Sequence, residues 1–157
     1  MSRRRAAVKS KVTPDAKFGS VIVAKLINYL MLDGKKYVAE VIAYEAIEKL
    51  SEKLKKDSVQ SFEEVVGLIK PLVEVRSRRV GGSTYQIPVE VKPERQVFKS
   101  LKWLIEAAKK RASGRGMANK LFLELHDAYN KKGGAFKKRE DTHKMAEANK
   151  AFSHFRY

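Results

Sequence analysis

One short stretch of this chain changes its hydrophobic rhythm, and that change restricts the fold more than any other feature. From Val73 to Val80 and again from Thr84 to Val91, apolar and polar residues alternate with period two. The segments on either side repeat with the period of a helix. Two strands alone are marginal in water, so they must form a ribbon anchored on a helical body. Gly81-Gly82-Ser83 supplies the turn. A two-residue Gly-Gly turn would pair Arg78 with Tyr85 and Val73 with Glu90, which mixes the faces. A three-residue loop pairs Val75 with Val89, Ser77 with Ile87 and Arg79 with Tyr85. That register puts Val73, Val75, Ile87, Val89 and Val91 on one face and Arg76, Arg78, Thr84 and Gln86 on the other, and it is the register expected. Pro88 is tolerated because an edge strand can lose one N–H.

Six helices are expected around this ribbon. Pro14 and Asp15 open the first, with Phe18, Val21, Ile22, Leu26, Ile27 and Leu30 as its apolar positions, and Asp33-Gly34 closes it. The second runs from Lys36 to Lys55 on a stripe of Ala39, Ile42, Ala43, Ala46, Ile47, Leu50 and Leu54. A capping box at Ser61 and Glu64 starts the third, and Pro71 stops it. Pro93 sits in the first turn of the fourth, whose inward face is Val97, Phe98, Leu101, Leu104, Ile105 and Ala108. Trp103 projects opposite Leu101 and Leu104 and is read as packing on another element in preference to stacking on a base. The fifth helix spans Met117 to Tyr129, and the sixth spans Lys138 to Ala151 with Met145, Ala148 and Phe152 as anchors. The expected fold is mainly α: a six-helix domain over residues 13–157, with a projecting two-stranded β-ribbon at about 73–91 and a basic tail at 1–12.

Charge narrows the function. The 157 residues include 34 Lys and Arg against 18 Asp and Glu, a net charge of +16. Self-repulsion of that size favours a polyanionic partner, and nucleic acid is the commonest one. The tail contributes Arg3, Arg4, Arg5, Lys9 and Lys11 with no acid, so most of the excess belongs to the body. No run of about 18 apolar residues spans a membrane, and no basic amphipathic helix with large apolar edges suits a membrane surface. A charge spread over tail, ribbon and helix ends fits an RNA that touches several sides. A helix-turn-helix on DNA would need a cluster of base-reading side chains on one helix, and none stands out.

The sequence offers no catalytic or metal-binding set. With no cysteine, thiolate metal sites are excluded. His126, His143 and His154 lack ligand spacing and read as surface or capping residues. Glu140 and Asp141 beside His143 are flanked by Lys137, Lys138, Arg139 and Lys144, and read as a salt-bridged helix start. No cofactor, no small-molecule substrate and no enzymatic activity are expected. Lys35 and Lys36 stand at a helix start, where cations are unfavourable, and so point to a contact. Arg76, Arg78 and Arg79 lie within four residues on a narrow arm, and the planar arginine fork suits phosphate.

Two long runs then suggest a family. PLVEVRSRRVGGSTYQIPVEV, from Pro71 to Val91, and KKREDTHKMAEANKAFSHFRY, from Lys137 to Tyr157, closely resemble signatures of the bacterial type of small-subunit ribosomal protein seven. The Pro-Asp-x-x-Phe-x-Ser opening at Pro14 to Ser20 and Gly-Lys-Lys at 34 to 36 agree with it. The resemblance implies a six-helix domain with a projecting ribbon that binds the 3′ major domain of 16S rRNA. It implies a role in nucleating the head of the small subunit, next to other ribosomal proteins of the head and in the cytoplasm. It also implies that the ribbon lies near exit-site tRNA and mRNA, with Arg78, Arg79, Gly81, Gly82 and Tyr85 at its tip. The rRNA contacts implied are Arg3, Arg4, Arg5, Lys9, Lys35, Lys36, Arg76, Arg78, Arg79, Arg95, Arg111, Arg115, Lys137, Lys138, Arg139 and Lys144.

Overall fold

The computed structural model describes residues 12–156, so the tail contacts expected at Arg3, Arg4, Arg5 and Lys9 lie outside the described residues. Six α-helices run as α1 (Val21–Leu30), α2 (Lys36–Leu54), α3 (Ser58–Ile69), α4 (Pro93–Lys110), α5 (Gly116–Tyr129) and α6 (Gly134–Ala148). Strands β1 (Val73–Val80) and β2 (Ser83–Glu90) sit between α3 and α4, and a 3₁₀ helix at Lys150–Arg156 follows α6. The mainly helical domain with one ribbon is therefore present as expected.

The core follows the helical stripes. Val23, Leu26 and Ile27 of α1 meet Ala43, Ala46, Ile47 and Leu50 of α2, Phe62, Val65, Val66 and Ile69 of α3, Leu101 and Leu104 of α4, and Leu121 and Leu125 of α5. Each large side chain removed from water stabilises the fold by roughly 1.5–3 kcal/mol before entropy is counted. α5 packs against α2, α3, α4 and α6 and is the hub of the bundle. Trp103 is buried in this core, which is the packing role expected of it.

Several helix starts differ from expectation because a local cap wins over the apolar pattern. The first helix begins at Val21, not at Pro14. Asp15 bends the chain instead: its carboxylate accepts the N–H groups of Lys17 at 3.1 Å and Phe18 at 3.0 Å. Gly19 then turns with φ +62°, and the Ser20 hydroxyl caps the helix by accepting from Ile22 N–H. Helix α3 starts at Ser58 because Asp57 accepts from Val59 and Gln60 N–H at 3.0 and 3.1 Å. The supposed cap Ser61 lies inside the helix, its hydroxyl donating to the Asp57 carbonyl at 2.7 Å.

Helix α6 also starts earlier, at Gly134, and its anchors are Ala135, Phe136 and Ala146. Met145 and Ala148 face solvent, while Phe152 belongs to the 3₁₀ helix. The inward stripe was hard to read because two of its members are polar. Arg139 donates to the Leu68 carbonyl at 2.5 Å, and His143 Nε2 accepts from Leu72 N–H at 3.1 Å. The first bond clamps α6 onto the end of α3, and the second onto the root of the ribbon.

The ribbon adopts the other register. Val73 pairs with Glu90, Val75 with Pro88, Arg76 with Ile87, Arg78 with Tyr85 and Arg79 with Thr84. Two facts explain it. Gly81 (φ +56°) and Gly82 (φ +90°) both take left-handed conformations, the two-residue turn whose twist matches paired strands. The mixed face also costs little, because its buried acid, Glu74, is neutralised by neighbouring cations. One face therefore holds Glu74, Arg76, Arg78, Tyr85, Ile87 and Val89, and Arg79 shares the other with Val73, Val75, Thr84 and Gln86. Tyr85 packs on Phe152 of the 3₁₀ helix with ring centroids 5.4 Å apart.

Candidate nucleic-acid interface

Positive charge gathers where the ribbon root meets α1 and the start of α4. Glu74 is 2% exposed, one residue into the ribbon. Its carboxylate accepts from Arg76 Nε at 2.7 Å, from Arg95 Nε at 3.1 Å and from the Lys99 ammonium. Burial alone would push the Glu74 carboxyl up, but the bonds from Lys99, Arg76 and Arg95 win and hold it down at about 2. Three cations against one acid that is ionised at neutral pH leave a net positive cluster.

That cluster borders an open groove of about 370 Å³ lined by Lys25, Tyr29, Arg76, Lys92, Glu94, Arg95 and Phe98. The Arg76 and Arg95 side chains are 55% and 49% exposed, so both remain reachable from solvent. Lys92 is the N-cap of α4, and Pro93 follows it at the first helical position. No side chain caps this helix, and its first-turn residues Glu94 and Arg95 line the groove with Lys92, so the positive end of its dipole borders the groove and is offset in part by Glu94. Tyr29 and Phe98 meet edge-to-face with centroids 5.3 Å apart and give the groove an aromatic wall. A concave, cationic surface with aromatic rings suits a nucleic-acid strand: phosphates on the cations, an unstacked base against the rings.

Lys35 of α2 and Arg115 of α5 repeat the pattern. Each is an exposed N-cap residue with no side-chain cap bond. A cation beside the positive end of a helix costs about 0.3–1 kcal/mol, and an anion docked there reverses that cost. Lys36 is exposed and lies 3.7 Å from Glu40. At the ribbon tip Arg78, Arg79, Gly81 and Gly82 are exposed and Tyr85 is partly buried.

Other expected residues point elsewhere. Arg111 is turned inward, donating to Glu124 at 2.6 Å and Asp127 at 2.5 Å, and ties the end of α4 to α5. Glu124 is buried and also accepts from Ala135 N–H at 2.9 Å, which draws α6 into the same knot. Gly133 permits this approach, since a Cβ there would stand 2.8 Å from the Glu124 carboxylate. Arg139 lies over the Phe136 ring at 4.6 Å besides holding the Leu68 carbonyl. Lys138 reaches Glu106 at 3.0 Å and is half exposed, while Lys137 and Lys144 are exposed on α6.

Reasoning from sequence missed Lys25, Tyr29, Lys92, Phe98 and Lys99. A signal existed for Lys92, because Pro93 at a helix start makes the preceding residue the cap. For Lys25 and Tyr29 there was none, since their neighbours in the groove come from the ribbon and α4.

The family described as Ribosomal protein S7p/S5e matches residues 2–150. The small ribosomal subunit protein uS7 of Pelagibacter ubique (strain HTCC1062) is 57% identical over 157 residues, covering the whole of both chains. The uS7 proteins of Paracoccus denitrificans (strain Pd 1222) and Borrelia duttonii (strain Ly) are 55% and 54% identical, again over the full length of each. With a family match across nearly all of its length and full-length relatives above half identity, the chain belongs to the ribosomal protein S7p/S5e family.

Proposed function

We propose that this protein is a structural component of the small ribosomal subunit that binds the 3′ major domain of 16S rRNA and nucleates assembly of the subunit head. The observation that carries the reading is the groove of Lys25, Arg76, Lys92 and Arg95 at the uncapped start of α4. In this reading phosphates displace counterions at the groove, at the basic caps Lys35 and Arg115 and along α6 at Lys137, Lys138 and Lys144. Because these cations lie on several elements, they hold different RNA segments in a fixed arrangement, and shape does more than base identity to select the target. The basic tail, with Arg3, Arg4, Arg5 and Lys9, adds contacts of the same kind. Arg111 and Arg139 serve the interface indirectly, by fixing α4, α5 and α6. The ribbon tip, with Arg78, Arg79 and the Gly81-Gly82 turn, lies toward exit-site tRNA and mRNA, and its partners in the particle include other proteins of the head.

The test is Lys25→Ala combined with Lys92→Ala. Affinity for a transcript of the 3′ major domain should fall, and the slope of log affinity against log salt should flatten by about two phosphate contacts. The melting temperature should hardly move, because both changes lie at the surface. Unchanged affinity would remove the groove from the interface.

A further inference from the structure

Glu74 is an acid buried in the middle of a surface built to attract a polyanion. By charge alone it opposes RNA binding. Its geometry argues otherwise. The carboxylate is shut away from solvent, so a phosphate in the groove never meets it directly. Its two oxygens take hydrogen bonds from Arg76 on β1 and from Arg95 on α4, and an ion pair from Lys99 one helical turn further along α4. Both arginines are held through Nε, the inner edge of the guanidinium. Both also line the groove with roughly half of the side chain open to solvent. A long arginine side chain otherwise loses rotamer freedom when a ligand fixes it. A carboxylate behind the guanidinium removes part of that freedom beforehand and sets the distance between the two forks.

Resting on the RNA-binding reading above, we propose that Glu74 is a positioning residue: it holds Arg76 and Arg95 as a preset pair that receives one phosphodiester segment of RNA in the groove. Two mechanisms predict opposite signs. If Glu74 were only a negative charge, removing it would strengthen RNA binding. If it positions the arginines, removing it weakens binding although the protein becomes more positive. Glu106 supplies the reference, because it is a half-exposed acid paired with Lys102 and Lys138 away from the groove.

The experiment measures the full chain against a 3′ major domain transcript and an unrelated RNA of equal length, at fixed salt and well below the melting temperature. Glu106→Gln should bind both RNAs as well as the parent or up to severalfold more tightly. Glu74→Gln should bind the 3′ domain about three- to tenfold more weakly, with little change for the unrelated RNA. Glu74→Asp keeps the charge and shortens the reach, and should also weaken binding, which guards against a Gln variant that folds poorly. In a background of Arg76→Ala with Arg95→Ala, Glu74→Gln should have almost no further effect on affinity, whereas a purely structural Glu74 would still lower it. Tighter or unchanged binding by Glu74→Gln, or a full effect in the double-alanine background, overturns the proposal. Failure of the RNA reading shows separately, as a parent protein that does not distinguish the two RNAs, and it overturns the proposal as well.

Discussion

At the scale of single residues, three buried or partly buried ionisable groups do different work. Glu74 sits well below its ordinary 4.5, at about 2, so its ion pairs stabilise the folded state fully above pH 4.5. That stability, on the order of 3 kcal/mol at most, is lost as pH falls from 4.5 toward 2. Acid unfolding of the parent should therefore begin at higher pH than acid unfolding of Glu74→Gln measured relative to its own neutral stability. Circular dichroism across pH 2–6 checks this, and identical relative profiles would contradict it. His143 is also pushed down, by burial and by the charge of Arg139, and its neutral Nε2 accepts from Leu72 N–H. Its contribution is complete above pH 6.5 and is lost as pH falls through its depressed folded value. Hydrogen exchange at the Leu72 amide, corrected for intrinsic rate, should accelerate at pH 5 relative to pH 7.5. Arg111→Ala leaves Glu124 buried without its main partner and should cost about 3–5 kcal/mol in urea melts. Lys35→Ala, at an exposed cap, should stay within about 0.5 kcal/mol.

At the scale of elements, the ribbon shows where the sequence misleads. The alternating pattern placed the strands correctly, yet the face they bury was misread. Pattern reasoning treats a glutamate as outward-facing, and Glu74 is inward because Arg76, Arg95 and Lys99 meet it there. Arg95 and Lys99 are 21 and 25 residues away in sequence, so no local rule finds them. The same holds for α6, whose inward Arg139 and His143 bond to Leu68 at the end of α3 and to Leu72 in the α3–β1 connection. By contrast α2 was legible nearly to the residue, because its stripe is purely apolar. The turn offers a clean test. Gly82→Val forces a β-branched residue to φ +90° and should destabilise the ribbon by roughly 1–2 kcal/mol. NMR should then show weakened cross-strand contacts between Arg78 and Tyr85, while the helical core keeps its protection.

At the scale of the whole molecule, the helices form a rigid mount and the charge is distributed over its edges. A chain of +16 tolerates the repulsion because its cations are spread among the ribbon root, the basic caps of α2, α4 and α5, and α6. The dispersal was visible in the sequence. The convergence of Lys25, Lys92 and Arg95 on one groove was not, because it depends on how α1, α4 and the ribbon meet. The proposed role requires that this arrangement select a particular RNA shape. That requirement is tested most directly by titrating the full chain against a 16S 3′ major domain transcript and against an equally long unrelated RNA, over a series of salt concentrations. Both affinities should fall with salt while a clear preference for the 3′ domain survives at the highest concentration. Equal affinities that collapse together would contradict it, and would leave a polycation that follows charge without reading shape.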